Sequence, residues 1–241
     1  MIQKIISLVD PVTKRLTAIF NSLGFLLGSF KSIVGIHLIL LLFVLLSTAT
    51  VYSAEKTILI LGDSLTAGYG VEKDEAFPKL LENRLRDLGF TEVKVVNGGF
   101  SGSTTASAFQ RIRWYMKLKP DMVILELGAN DGLRGHKIES IKDNLAKTIR
   151  FAQERNIVTV LAGMKLPINY GSRYTRDFEA LFKSLSDQYA LPLIPFLLEG
   201  VAGRPELNLA DGIHPNPKGH KIVAENVLTH IRPLLNNAQW N

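Results

Sequence analysis

The chain has 241 residues, 46% of them apolar, a net charge of +6 and no cysteine. That length holds one domain with a large core and an additional segment, and the missing cysteines exclude disulfides, thiolate metal sites, a cysteine nucleophile and a lipid-modified N-terminal cysteine. Lys4, Lys14, Arg15 and Lys31 against Asp10 place +3 of the charge before residue 55, and the rest forms no basic stripe interleaved with aromatics, so a nucleic-acid partner is not expected.

The first segment, residues 1–54, reads as an export device. No charged residue occurs from Ser32 to Ala54, Ile36 to Leu46 is almost wholly aliphatic, and Lys31 stands just before the run. Two forms fit: a signal peptide cleaved after a small residue such as Ala49 or Ala54, or an uncleaved transmembrane anchor. Both place the basic flank in the cytoplasm and the following domain outside, in the periplasm or another extracytoplasmic space.

From residue 55 to 241 strands and helices alternate. Thr57 to Leu61 is an apolar run of the kind buried on both faces of a parallel sheet. It leads into Gly62-Asp63-Ser64-Leu65, at the carboxyl edge where open α/β sheets place their chemistry. Glu75 to Leu88 has helical spacing, with Pro78 tolerable only in its first turn. Val93 to Val96 is a short strand, Thr104 to Leu118 a helix, and Met122 to Leu127 a buried strand leading to Asn130-Asp131-Gly132. Ile138 to Arg155 is a helix, Ile157 to Ala162 a strand and Gly163 to Gly171 irregular. Phe178 to Tyr189 is a helix, and Leu193-Ile194 a last strand between prolines. Asp211 to Pro217 is a turn, and His220 opens a closing helix that should stop before Pro233. Five parallel strands with right-handed crossovers put helices on both faces of the sheet.

The polar residues that stand out follow strands. Ser64 comes after the first, Gly102 after the second, Asn130 after the third, and Asp211 and His214 after the fifth. A serine hydroxyl becomes a nucleophile when a base takes its proton, and His214 is the candidate base. Asp211, three residues away, can hold the other ring nitrogen and fix the tautomer. The N–H groups of Ser64 and Gly102 and the Asn130 amide can serve a developing oxyanion. Each residue also has a plainer reading as a turn, cap or loop element. Four such coincidences at one sheet edge are less plausible than one site. A His214–His220 metal pair lacks a third ligand, and His220 reads as a surface helix histidine. No Gly-x-Ser-x-Gly elbow and no P-loop occurs.

Gly62-Asp63-Ser64-Leu65, the glycine of Phe100-Ser101-Gly102, Gly128-Ala129-Asn130-Asp131 and Asp211-Gly212-Ile213-His214-Pro215 resemble, in order, the four blocks of the SGNH (GDSL) hydrolases. The resemblance spans Thr57 to Leu235. It is closest to the bacterial arylesterase and acyl-CoA thioesterase/lysophospholipase branch, through Asn130 to Gly135 and Leu166 to Gly171. It implies a three-layer α/β/α sandwich of flavodoxin-like type with a five-stranded parallel sheet. It also implies Ser64 as nucleophile, His214 as base, Asp211 as orienting acid, and Ser64, Gly102 and Asn130 as the oxyanion hole. No metal or organic cofactor is implied. The expected partners are a small acyl ester or thioester substrate and, through the N-terminal segment, a membrane; the expected state is a monomer. Two departures, Gly98 where alanine is common and Ser103 where an acid often stands, fall in the loop that carries Gly102. The expected activity is an exported serine esterase or thioesterase. A carbohydrate O-acetylesterase on the same scaffold and a non-catalytic, membrane-tethered lipid-binding module are the alternatives.

Overall fold

The computed structural model describes residues 18–19 and 55–236, so the expected leader or anchor lies, but for two residues, outside the described part. Among the described residues no helix is long and apolar enough to cross a membrane.

The first strand, β1 (Lys56–Gly62), has Ile58, Leu59, Ile60 and Leu61 fully buried, as an apolar run inside a doubly covered sheet must be. It pairs in parallel with β2 (Val93–Gly99) on one side and β3 (Met122–Glu126) on the other. Strands β4 (Val158–Ala162) and β5 (Leu193–Ile194) complete a five-stranded parallel sheet of order β2-β1-β3-β4-β5. The chain leaves β1 toward one edge and returns to its other side for β3. That reversal opens a crevice above the carboxyl ends of β1 and β3, where ligands bind in doubly wound folds.

Helices cover both faces. On one lie α2 (Phe77–Asp87) and α7 (Pro217–Leu235), packed on each other; on the other, α3 (Ala108–Tyr115), α5 (Ile138–Gln153) and α6 (Ser172–Tyr189) pack in series. Two short helices, α1 (Ser64–Ala67) and α4 (Ala129–Leu133), sit directly above the ends of β1 and β3. The three-layer sandwich expected from the sequence is the architecture observed.

Several boundaries differ from expectation, each for a tertiary reason. Strand β2 runs on to Gly99 because Asn97, Gly98 and Gly99 stay in register with Ile60, Leu61 and Gly62. A side chain at position 99 would strike the backbone of Ala67, so the second glycine lets α1 settle on the strand. The expected Thr104–Leu118 helix is α-helical only over Ala108–Tyr115, with single 3₁₀ turns at Thr105–Ser107 and Met116–Leu118. Helix α6 starts at Ser172, six residues early, through a first turn of mostly exposed polar residues with no apolar period to betray it. Helix α7 begins at Pro217 and continues through Pro233 to Leu235. Ile231 and Leu235 are fully buried, and burying them outweighs the one hydrogen bond that Pro233 forfeits in the last turns.

Candidate active site

Ser64 is the first residue of α1, so its N–H has no partner within that helix. Asp63 caps the helix: its Oδ1 accepts from the Leu65 N–H at 3.0 Å. Two further groups hold the turn from below. Glu126, at the end of β3 and wholly buried, accepts from the Asp63 N–H at 3.1 Å and the Thr66 hydroxyl at 2.7 Å, both on Oε2. Arg111 of α3 donates through Nη2 to the carbonyls of Gly62, at 2.9 Å, and of Gly98. Gly62 has no room for a side chain, since a Cβ would run into Thr66 and Glu126.

The loop after β5 supplies the other half. Asn216 caps α7 by accepting from the N–H groups of Lys218 and Gly219, which pins the end of that loop. Upstream, the Leu209 N–H donates to the His214 carbonyl at 2.7 Å, closing the turn that carries both residues. Asp211 Oδ2 lies 2.6 Å from His214 Nδ1, while its Oδ1 accepts from the N–H groups of Ile213 and His214 at 3.0 Å. His214 Nε2 is 2.9 Å from Ser64 Oγ, across 150 residues of sequence. The Tyr69 ring tilts against the imidazole with centroids 4.6 Å apart. The serine near the start of the domain and the histidine near its end therefore meet at one rim of the sheet.

Electrostatics separates the three carboxylates. Burial pushes the Asp211 carboxyl up, but hydrogen bonds from the His214 ring and from the Ile213 and His214 N–H groups outweigh it and hold the pKa at about 2. Asp211 is thus anionic at neutral pH, which favours a proton on His214 Nδ1 and leaves Nε2 to accept from Ser64. Asp63 is raised to about 6 by burial, against the opposing Leu65 N–H and Asn130 amide. Glu126 is pushed well above the usual carboxylate range by burial and by the neighbouring Asp63 charge.

Gly102 adopts φ +78, open to glycine without strain. Its carbonyl accepts from Arg134 Nη2 at 3.2 Å. Asn130, in the first turn of α4, donates Nδ2 to Asp63 Oδ2 at 3.1 Å. Ser64, Gly102, Asn130 and His214 all line one cavity of about 630 Å³, which continues along Leu133, Met164, Leu166, Pro167, Phe196 and Leu198. The expected residues are brought together: Ser64, Gly102, Asn130 and His214 face a common space with an apolar extension, and Asp211 is joined to it through the His214 ring.

Some site residues had no clear mark in the sequence. Asp131 reads there as part of a turn, but α4 buries it, and it accepts from the Thr105 N–H at 2.8 Å and hydroxyl at 2.7 Å, tying α4 to the loop that carries Gly102. Glu126 left one signal, a carboxylate inside an otherwise apolar strand. The departure at Gly98 has a local cause: a Cβ there would lie 2.7 Å from the Ile60 carbonyl oxygen. His220 is not on the surface. It is buried under α2 and its Nδ1 accepts from the Phe77 N–H, a helix-start donor, at 3.3 Å. His136 is exposed, with Nδ1 3.5 Å from Asp131 Oδ1.

A five-stranded parallel α/β/α sandwich with serine, histidine and aspartate linked at its carboxyl edge defines a hydrolase scaffold. Residues 60–222 match the model of the GDSL-like Lipase/Acylhydrolase family. The chain is 39% identical over 187 residues to an arylesterase of Vibrio mimicus, covering 77% of this chain and 92% of that one. It is 34% identical over 210 residues to thioesterase 1/protease 1/lysophospholipase L1 of Escherichia coli, covering 87% and 98%. The crystal structure of TesA superposes with a TM-score of 0.72 at 38% identity, over 75% of this chain and all of that one. The chain therefore belongs to the GDSL-like lipase/acylhydrolase (SGNH) family, and it is an enzyme that hydrolyses ester bonds.

Proposed function

We propose that the chain is an exported serine esterase acting on aryl esters, acyl thioesters and lysophospholipids through an acyl-enzyme intermediate. The observation that carries this reading is the unbroken line Asp211 Oδ2–His214 Nδ1 at 2.6 Å and His214 Nε2–Ser64 Oγ at 2.9 Å.

In this reading His214 Nε2 takes the Ser64 proton as Oγ bonds to the acyl carbon, and the carbonyl π electrons move onto oxygen. The N–H groups of Ser64 and Gly102 and the Asn130 amide receive that oxyanion. Collapse breaks the bond to the leaving oxygen or sulfur, which takes the proton back from Nε2. Water, deprotonated by the same nitrogen, then attacks the acyl-serine; collapse releases the acid as the Ser64 oxygen leaves and takes that proton back from Nε2. Asp211 remains ionised throughout and stabilises the imidazolium.

The apolar extension along Leu133, Met164, Leu166, Pro167 and Phe196 favours an acyl chain longer than acetate, and so favours this reading over a carbohydrate O-acetylesterase. Export rests on the uncharged run from Ser32 to Ala54 behind Lys31, with residues 55–241 as the catalytic domain. A monomer remains the working expectation for the assembly.

Ser64→Ala should abolish hydrolysis of a p-nitrophenyl acyl ester with the circular dichroism spectrum unchanged. Retained hydrolysis would overturn the mechanism.

A further inference from the structure

Asp211 orients the base, and a second carboxylate, next to the nucleophile in the chain, stands in a similar relation to a different group. Asp63 is 1% exposed, immediately precedes Ser64, and has a job for each oxygen: Oδ1 caps α1, and Oδ2 accepts from Asn130 Nδ2 at 3.1 Å. We propose that Asp63 is a positioning residue for the Asn130 amide, holding one Nδ2 proton so that the other points at the oxyanion. The proposal rests on the reading of Asn130 as an oxyanion donor.

A side-chain amide is planar, and rotation by half a turn exchanges its donor and acceptor ends. Asn130 lies in the cavity beside Ser64, where the flipped form would present a carbonyl oxygen to a developing negative charge. An ionised carboxylate only accepts, so Asp63 selects the orientation in which Nδ2 faces it. The two amide protons diverge by about 120° from planar geometry. Fixing one on Asp63 therefore turns the other away from that carboxylate, on a side chain that lines the cavity.

Asp63 is itself held. Its N–H donates to Glu126 Oε2 at 3.1 Å, and Arg111 grips the Gly62 carbonyl just upstream at 2.9 Å. The Glu126 bond fixes the backbone from which the Asp63 carboxylate faces the amide, and burial with the Asp63 charge pushes the Glu126 carboxyl upward. A buried carboxylate kept for capping alone would gain little over asparagine, which caps as well. The acceptor-only chemistry toward Asn130 is what asparagine cannot supply.

The test is a mutant cycle on the full chain with a p-nitrophenyl acyl ester. Asp63→Asn preserves the cap but offers Asn130 a donor, which favours the flipped amide. Asn130→Ala should lower kcat about 100-fold, in line with loss of one oxyanion donor. Asp63→Asn should lower kcat about tenfold or more with KM within about threefold, yet cost less than about threefold further in the Asn130→Ala background. Equal costs in the two backgrounds would overturn the proposal while leaving the oxyanion reading intact. An unchanged kcat in Asn130→Ala would remove that reading and the proposal with it. A measurement on the wild-type chain makes the test independent of whether Asp63→Asn folds. By NMR, one Asn130 side-chain amide proton should resonate downfield of its geminal partner and exchange slowly with solvent. Two equivalent, fast-exchanging protons would also overturn the proposal.

Discussion

The buried histidine of α7 makes stability depend on pH in a way that can be worked out in advance. His220 is 1% exposed, its Nδ1 serves the first N–H of α2, and its Nε2 has no partner among the described residues. Protonation would place a second donor against the Phe77 N–H and a charge in an apolar setting. Burial accordingly lowers its pKa from 6.5 to about 4, with nearby His214 acting in the same direction and Glu75 against. Below pH 6.5 the unfolded chain takes up a proton that the folded chain refuses, so stability falls as pH drops and the loss is complete below about 4. The gap corresponds to about 3 kcal/mol, at about 1.4 kcal/mol per pH unit. Asp63 works in the opposite sense over much of the same range. Its folded pKa of about 6 lies above the usual 3.8, so its contribution rises as pH falls between those values. Glu126, also raised, and Asp211, lowered, add terms of their own, so the raw pH profile is a mixture and the informative quantity is a difference between variants. His220→Asn keeps an acceptor near the Nδ1 position and removes the titration. We expect it to be about 1–2 kcal/mol less stable than wild type near pH 7, from lost packing. By pH 4 that deficit should vanish or reverse. Urea unfolding followed by circular dichroism at several pH values measures both curves. A difference that stays constant from neutral pH to pH 4 would refute a neutral buried imidazole at this position.

Asp211→Asn should lower kcat by about three orders of magnitude or more with little change in KM, because asparagine no longer specifies the Nδ1-protonated tautomer of His214. A stopped assay with a p-nitrophenyl ester reads this, and a loss confined to KM would contradict it. Gly98→Ala should lower stability by about 1–3 kcal/mol, since the added methyl meets the Ile60 carbonyl oxygen of β1, which the sheet holds in place. A thermal melt equal to wild type would show that the strands shift more freely than the geometry allows. Leu166→Trp should fill the apolar arm of the cavity, depressing kcat/KM for long-chain p-nitrophenyl esters about tenfold or more while sparing the acetate. An equal loss on both substrates would place the acyl chain elsewhere.

Much of this molecule was legible in the order of its residues, and the limit of that legibility is physical. Strands buried on both faces must be apolar throughout, so Thr57–Leu61 and Met122–Leu127 declared themselves, and the strand–helix alternation implied a parallel sheet. Asp211 and His214 are three residues apart, close enough for the turn itself to join them. Ser64, Gly102 and Asn130 each follow a strand, which puts them at one edge of any parallel sheet. Contacts between distant parts of the chain were another matter. In the sequence His220 reads as a surface residue because no third ligand stands beside it and His214, and only the packing of α7 on α2 sets it beneath the Phe77 N–H. Glu126, Arg111 and Asp131 likewise have partners 60, 49 and 26 residues away, respectively. Periodicity records which face of an element is buried, and spacing records what can touch within a turn. Neither records which donor meets which acceptor across the core, because that choice is made only when the layers close and every buried polar group must find a partner at once.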